Sequence, residues 1–180
     1  EVQMNLGLGW CLLYAAEKDE FRDFETPALI FQRVIDELDR VRSIRGVDPN
    51  SANRALALTG LGVTKMVAGS TIEASQAFRR AIDANAQAVE AHFNMGLLLL
   101  RKGIADQAIV HLQAALDSRP RHLRYMVALG VALERNGDDV RARIVALDAL
   151  GYYPTSPGPK ALLGTLAAKR RNYDEAERWL

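Results

Sequence analysis

The histidines are the side chains of this sequence that could most readily bind a metal. His92, His111 and His122 fall close together in the middle of the chain, and imidazole is a common zinc ligand. A closed zinc site needs further ligands, and no acidic residue or cysteine stands at a spacing that would converge on these histidines. We therefore predict structural or surface roles for them, with no metal site and no cofactor.

Other patterns with chemical potential have simpler explanations. The carboxylates at 138–139 and 174–175 stand where predicted helices begin, and the helix dipole favours acidic residues there. Gly60 and Gly62 have the spacing of a phosphate-binding loop, but no strand precedes them and they lie within a predicted helix. The basic cluster at 169–171 is typical of a solvated helix end. Because no nucleophile, base and orienting group occur together, we predict that the chain is not an enzyme.

The elements that position these residues follow from an internal period of 34 residues. Small residues recur at this spacing in four separate registers, and such recurrence indicates a repeat protein. The registers are Gly62, Gly96, Gly130 and Gly164; Ala74, Ala108, Ala142 and Ala176; Ala81, Ala115 and Ala149; and Gly69, Gly103 and Gly137.

The stretch 89–122 shows how one unit is built. Apolar residues at helical spacing predict two helices, over 89–102 and 105–118. We expect Gly96 on the first helix to face alanines on the second, so that the two backbones approach closely. Gly103 can supply the left-handed residue after the first helix, and Pro120 prevents the second helix from continuing.

These features resemble the tetratricopeptide repeat, whose 34-residue unit has characteristic residues at fixed positions. In the unit 89–122 those positions hold His92, Met95, Gly96, Leu99, Ala108, Leu112, Ala115 and Pro120. The resemblance implies an all-α fold, a right-handed superhelical solenoid of antiparallel helix pairs. We expect one solenoid domain with an irregular first repeat at 1–54, repeats at 55–88, 89–122 and 123–156, and a partial repeat at 157–180.

The first repeat departs most from the pattern. An apolar helix over 2–16 carries the dipeptide Leu6-Gly7, which is similar to the signature of a first helix. Thr26 is the expected cap of a second helix that starts near Pro27 and extends to about residue 45. Between these helices a long polar run replaces the usual short turn.

In the tetratricopeptide family the first helices line a concave face, and the resemblance carries this face over to this chain. The centre of the implied face is apolar, with arginines at its margin, and a monomer rarely leaves such a strip exposed. The predicted peptide groove comprises Thr59, Val63, Met66, Phe93, Leu97, Leu100, Arg101, Arg124, Val127, Val131 and Arg135.

The resemblance implies a non-catalytic scaffold that binds a peptide or helix of a partner protein in this groove. The competing interpretation is that other parts of the same protein, or tight superhelical curvature, already cover the apolar strip. The chain could also be the docking arm of a larger enzyme or assembly, or could self-associate through ends that lack a polar capping helix. RNA-binding helical repeats are a further class, but they recognise bases with polar side chains.

Composition bears on the partners and the compartment. The net charge is +1, so no overall field recruits nucleic acid or an anionic membrane. No apolar run has the length of a membrane span. Cys11 is the only cysteine, which excludes an intrachain disulfide, and we expect its side chain to be buried. The sequence does not fix the compartment. The cytoplasm is slightly favoured, and the periplasm is the alternative if a signal has been removed from a longer protein.

Overall fold

A computed structural model describes residues 2–18, 23–45 and 50–179 of the chain. The described residues form helices and turns without a strand, and the predicted all-α helical-repeat fold is confirmed. The helices are α1 (Val2–Lys18), α2 (Glu25–Arg45), α3 (Ser51–Val67), α4 (Thr71–Ala84), α5 (Val89–Arg101), α6 (Ala105–Ser118), α7 (Leu123–Arg135), α8 (Asp139–Tyr152), α9 (Pro157–Lys169) and α10 (Tyr173–Trp179). From α3 onward, the helices form successive pairs, and the second helices α4, α6, α8 and α10 start 34 residues apart, as the sequence period predicts.

The main difference in helix boundaries concerns α9. The segment 151–159 contains two glycines and three prolines, which predicts an inter-repeat turn with a helix only from residue 160, yet α8 extends to Tyr152 and α9 begins at Pro157. The two prolines of α9 stand in the first turn of the helix, where a missing N–H costs nothing because those groups lack intrahelical partners. Ser156 precedes the helix with an extended backbone, as is usual at this position.

The chain divides into two compact units, Glu1–Met95 and Gly96–Leu180. In the Glu1–Met95 unit, a core forms around Phe31 of α2, whose ring is fully buried. The ring occupies the space that side chains at Gly9 of α1 and Gly60 of α3 would need. In the Leu6-Gly7 dipeptide, Leu6 is buried, but a Cβ atom at Gly7 would meet nothing within 4 Å, so Gly9 is the glycine of α1 that permits close packing.

The start of α2 also differs from the prediction. Thr26 was expected to cap this helix, but the carboxylate of Asp23 does so. One Asp23 oxygen accepts hydrogen bonds from the backbone N–H groups of Glu25 and Thr26, at 3.0 and 3.2 Å. The other accepts the Thr26 hydroxyl proton at 2.6 Å. These bonds lower the pKa of Asp23, with the Thr26 hydroxyl making the largest contribution.

At Gly62 and Gly96 the paired helices come close together, but the facing residues are larger than expected; at Gly130 the space is taken by Leu162 of α9 instead. A Cβ atom at Gly62 would lie 2.5 Å from the Phe78 ring, in the Glu1–Met95 unit. A Cβ atom at Gly96 would lie 2.5 Å from Leu112 Cγ, in the Gly96–Leu180 unit. Ala108 contributes only its carbonyl oxygen, at 3.4 Å. Gly62 and Gly96 therefore each make room for a large apolar side chain of the second helix.

The turns inside the pairs use the left-handed backbone region at a fixed register. Gly69, Gly103 and Gly137 have φ angles of 86°, 76° and 83°. The next position at the same spacing, Arg171, also has a positive φ of 59° although it carries a side chain. The turn geometry is therefore set by the repeat, and Arg171 adopts it at the expense of backbone strain.

Candidate functional site

The predicted groove residues separate into three groups by exposure. Those that the structure buries are Thr59, Phe93 and Leu100. The partly exposed apolar ones are Val63, Met66, Leu97, Val127 and Val131. The three arginines, Arg101, Arg124 and Arg135, are exposed. Each of the two units therefore contributes buried and partly exposed members of the predicted set, and the three arginines all belong to the Gly96–Leu180 unit.

In the Gly96–Leu180 unit, side-chain contacts place successive first helices next to one another. The Arg135 guanidinium of α7 donates to the Leu100 carbonyl of α5 at 3.1 Å. Val127 of α7 lies against Gly158 at the start of α9, where a Cβ atom at Gly158 would be only 3.1 Å from a Val127 methyl carbon. Val127 and Val131, one helical turn apart on α7, thus belong to a face flanked by α5 and α9.

Basic residues end the first helices of this unit at a spacing of 34. Arg101, Arg135 and Lys169 occupy equivalent positions in the last turns of α5, α7 and α9. A cation in this position is favoured by the negative end of the helix dipole. Arg135 also binds the end of the preceding first helix directly, so part of its hydrogen-bonding capacity already serves the fold.

Lys169 is held more tightly than the predicted solvated helix end would be. Its ammonium group lies 2.8 Å from Asp139 Oδ1 and 3.0 Å from Glu134 Oε1. It also donates to the Glu134 carbonyl oxygen at 3.3 Å. These interactions raise the pKa of Lys169, first through the hydrogen bond to Asp139 and then through Glu134.

Arg101 is the cation of this register with the most freedom. It is exposed, and within the part of the chain that the structure describes its side chain forms no hydrogen bond or ion pair. Leu97, one turn earlier on α5, is a partly exposed apolar neighbour. An apolar surface beside an available guanidinium can contact an aliphatic side chain and a carboxylate of the same ligand.

In the Glu1–Met95 unit, α3 presents Thr59, Val63 and Met66 at i, i+4 and i+7 spacing, which places them on one side of the helix. The Thr59 hydroxyl is buried and donates to the Ala55 carbonyl at 2.7 Å. Its hydrogen bond is therefore satisfied within α3, which leaves Val63 and Met66 as the accessible part of this helix face.

A cavity of about 600 Å³ lies elsewhere in this unit, between α2, α3 and α4. None of the predicted groove residues lines it. Lys65 lines it, at the register position that Leu99 and Leu133 occupy in the following repeats, and pairs with Glu73 at 2.7 Å. The apolar pattern of the following repeats is therefore interrupted at this position, beside the cavity.

The histidines have local structural contacts. His92 Nε2 lies 3.2 Å from the Ala86 carbonyl oxygen, and the His122 ring stacks on Tyr125 with centroids 4.0 Å apart. Over residues 2–18, 23–45 and 50–179, no group of three or more metal-ligating side chains could hold an ion.

In the same residues, no helix combines the length and apolar character that crossing a bilayer requires. Cys11, which was predicted to be buried, is exposed on α1.

Comparison with known proteins bears on these repeats directly. A family model described as tetratricopeptide repeat matches the chain twice, over residues 59–111 and 105–157. The two matches together cover more than half of the chain. The chain belongs to the tetratricopeptide-repeat family. This fold is typical of protein–protein interaction scaffolds, and members of the family are generally non-catalytic.

Relatives and solved structures agree with this assignment. The chain is 36% identical over 92 residues to the TPR repeat-containing protein PA4299 of Pseudomonas aeruginosa, a match that covers 51% of this chain and 38% of that protein. It is similar in fold to PilF of Pseudomonas aeruginosa, with a TM-score of 0.77 and 18% identity over 99% of this chain and 72% of the other. A MamA RS-1 double mutant gives a TM-score of 0.76 and 14% identity over 97% and 90% of the respective chains.

Two features of the tetratricopeptide repeats were missed in the sequence. The basic register at 101, 135 and 169 shares the period of the glycines and could have been found by the same search. The second feature is an exposed apolar stripe on α8, formed by Val140, Ile144 and Leu147. Its spacing is visible in the sequence, but only the structure shows that this side of α8 faces solvent.

Proposed function

We propose that this chain is a non-catalytic scaffold that binds a peptide or helix of a partner protein along the first helices of its repeats. In the Gly96–Leu180 unit the proposed contact surface is Leu97, Val127 and Val131, with Arg101 and Arg124 at its margin. The observation that supports the proposal best is the partly exposed apolar side of α7, next to the helix α5 that carries the available guanidinium of Arg101.

The buried members of the predicted groove have a supporting role in this proposal. Leu100 lies beneath the surface, and its carbonyl oxygen accepts the hydrogen bond from Arg135 that holds α7 beside α5. In the Glu1–Met95 unit we propose the same kind of surface at Val63 and Met66, with Thr59 and Phe93 as buried support. Residues of this second layer affect binding through the position of the helices.

The charge at the margin indicates what the ligand carries. Arg101, Arg124 and Arg135 are exposed cations around an apolar centre, so a complementary segment combines aliphatic or aromatic side chains with acidic ones. Salt screens such exposed ion pairs. Binding should therefore weaken with ionic strength and still persist in high salt through the apolar contacts.

A random-peptide phage library selected on the chain tests the proposal. Enriched peptides should contain acidic and apolar residues and should bind Val131→Glu at least about tenfold more weakly than the wild type, because the new carboxylate would be desolvated against the peptide. Gln107→Glu, at an exposed position on α6, is the matched control and should bind normally. Equal affinity of the enriched peptides for wild type and Val131→Glu would contradict the proposal.

A further inference from the structure

The outer side of α8 is apolar where the equivalent helices are mostly polar. Val140, Ile144 and Leu147 are 65%, 60% and 43% exposed, and Gly151 follows at the same helical spacing. At the four equivalent positions, α4 has Ile72, Gln76, Arg79 and Asp83, and α6 has Asp106, Val110, Gln113 and Asp117. Because α4 and α6 occupy the same place in their repeats with mostly polar residues, folding does not require an apolar stripe here.

The spacing of this stripe is that of a helix–helix contact. The four residues, hereafter the α8 seam, follow one another at intervals of four, three and four residues. They span about 60° of arc on a helix with 100° per residue. Alternating intervals of four and three keep one side of a helix facing a partner helix over several turns. The inner side of α8 is already packed through Ala142, Ala146 and Ala149, so the seam is a second apolar side.

The charges beside the seam identify the partner helix. Arg141 and Asp148 lie on the same side of the seam, seven residues apart, and both are exposed. When two copies of α8 pack antiparallel about a two-fold axis, this side of one copy meets the same side of the other. Arg141 of each copy then lies opposite Asp148 of its partner, which forms two equivalent ion pairs. A parallel arrangement would not place these charges together.

The remaining charged groups near the seam are compatible with this arrangement. On the opposite side of the seam, Arg143 is neutralised by Glu175, with 2.8 Å between the charged atoms. Arg141 contacts Asp138 only at 3.4 Å and keeps 57% of its side chain exposed. Asp148 has no ion-pair partner among the residues that the structure describes. Arg141 and Asp148 are therefore available for contacts across the two-fold axis.

We propose that two copies of this chain associate through the α8 seam, antiparallel, with reciprocal Arg141–Asp148 ion pairs. One short helix pair buries much less than the roughly 800 Å² per partner of a standard interface, so the dimer is weak. This surface lies on a second helix, so the association is separate from peptide binding by the first helices.

Sedimentation velocity of the chain at concentrations up to about 1 mM, where weak association is populated, tests this inference. The weight-average mass should rise with concentration from the monomer mass of 19.9 kDa toward twice that value. Ile144→Asp should weaken the association at least about tenfold. Val110→Asp is the matched control at the equivalent position of α6, where Val110 is 67% exposed, and should associate like the wild type.

Charge reversal separates the two-fold arrangement from general stickiness. Arg141→Asp and Asp148→Arg each place like charges opposite one another in a homodimer, so neither variant alone should associate. In an equimolar mixture, each contact joins opposite charges again and association should return. A wild-type chain that stays monomeric over the whole concentration range would overturn the inference. So would a mixture that remains as monomeric as its components.

Discussion

The strained turn at Arg171 gives a stability prediction that depends directly on the repeat register. Gly69, Gly103 and Gly137 occupy the equivalent left-handed position, and Arg171 is there with φ of 59°. For a residue with a side chain, this backbone region costs about 1–2 kcal/mol. Replacing Arg171 with glycine removes that strain. It also increases the conformational freedom of the unfolded chain, which offsets about 0.5–1 kcal/mol of the gain.

The net expectation is that Arg171→Gly raises the free energy of unfolding by about 0.5–1 kcal/mol. The Arg171 side chain is exposed and forms no ion pair with the described residues, so its removal loses no charge interaction among them. For a chain of this size the gain corresponds to an increase in melting temperature of roughly 1–4 °C. Urea and thermal unfolding followed by circular dichroism would measure both quantities.

Arg170→Gly is the matched control for this experiment. Arg170 is also exposed and carries the same charge, but its φ is −84°, which any residue adopts. Glycine there should therefore lower stability by about 0.5–1 kcal/mol. If Arg171→Gly destabilised the protein as much as Arg170→Gly, the argument that the repeat imposes strain at residue 171 would be refuted.

Three further predictions follow from the packing and the charges. Gly62→Ala should lower the free energy of unfolding by about 1–3 kcal/mol in a urea titration, because its Cβ would lie 2.5 Å from the Phe78 ring. Gly7→Ala has open space around it and should instead raise the free energy of unfolding by about 0.5–1 kcal/mol. Equal effects of the two substitutions would be inconsistent with the glycine packing. The pKa of Lys169 is raised in the folded state, so its contribution to the free energy of unfolding is complete below the unfolded-state pKa of 10.5 and is lost as pH rises through the higher folded-state pKa. The stability of Lys169→Gln should therefore depend less on pH above about pH 10.5 than that of the wild type. An unchanged pH profile would refute this. Phe93→Glu should destabilise the fold by about 3 kcal/mol because Phe93 is only 3% exposed; a fully stable variant would show that this site tolerates a charge.

The helix pairs could be predicted because the residues that enforce them are small and periodic. Gly96 and Gly103 recur at a fixed spacing since each has one local requirement, close packing or a left-handed backbone. The first repeat could not be predicted in the same way, because its longer connection between α1 and α2 shifts the register. The packing role of Gly9 then depends on Phe31, a contact that the period of 34 does not show.

The candidate site could be predicted only in part. Helical spacing places Leu97 and Leu100 near each other on α5, but it does not show that Leu100 is buried and Leu97 is partly exposed. Depth depends on neighbouring helices, whose contacts are set by side chains far away in the sequence. The same reason explains Cys11, which lies in an apolar run yet faces solvent.

The most direct test of the proposed scaffold function is NMR chemical-shift mapping with a peptide enriched from the phage library. We predict that the largest shifts on peptide addition occur at Leu97, Val127 and Val131 on the first helices, and that they disappear in Val131→Glu. Shifts confined to the outer sides of α6 and α8, with these three residues unaffected, would contradict this prediction.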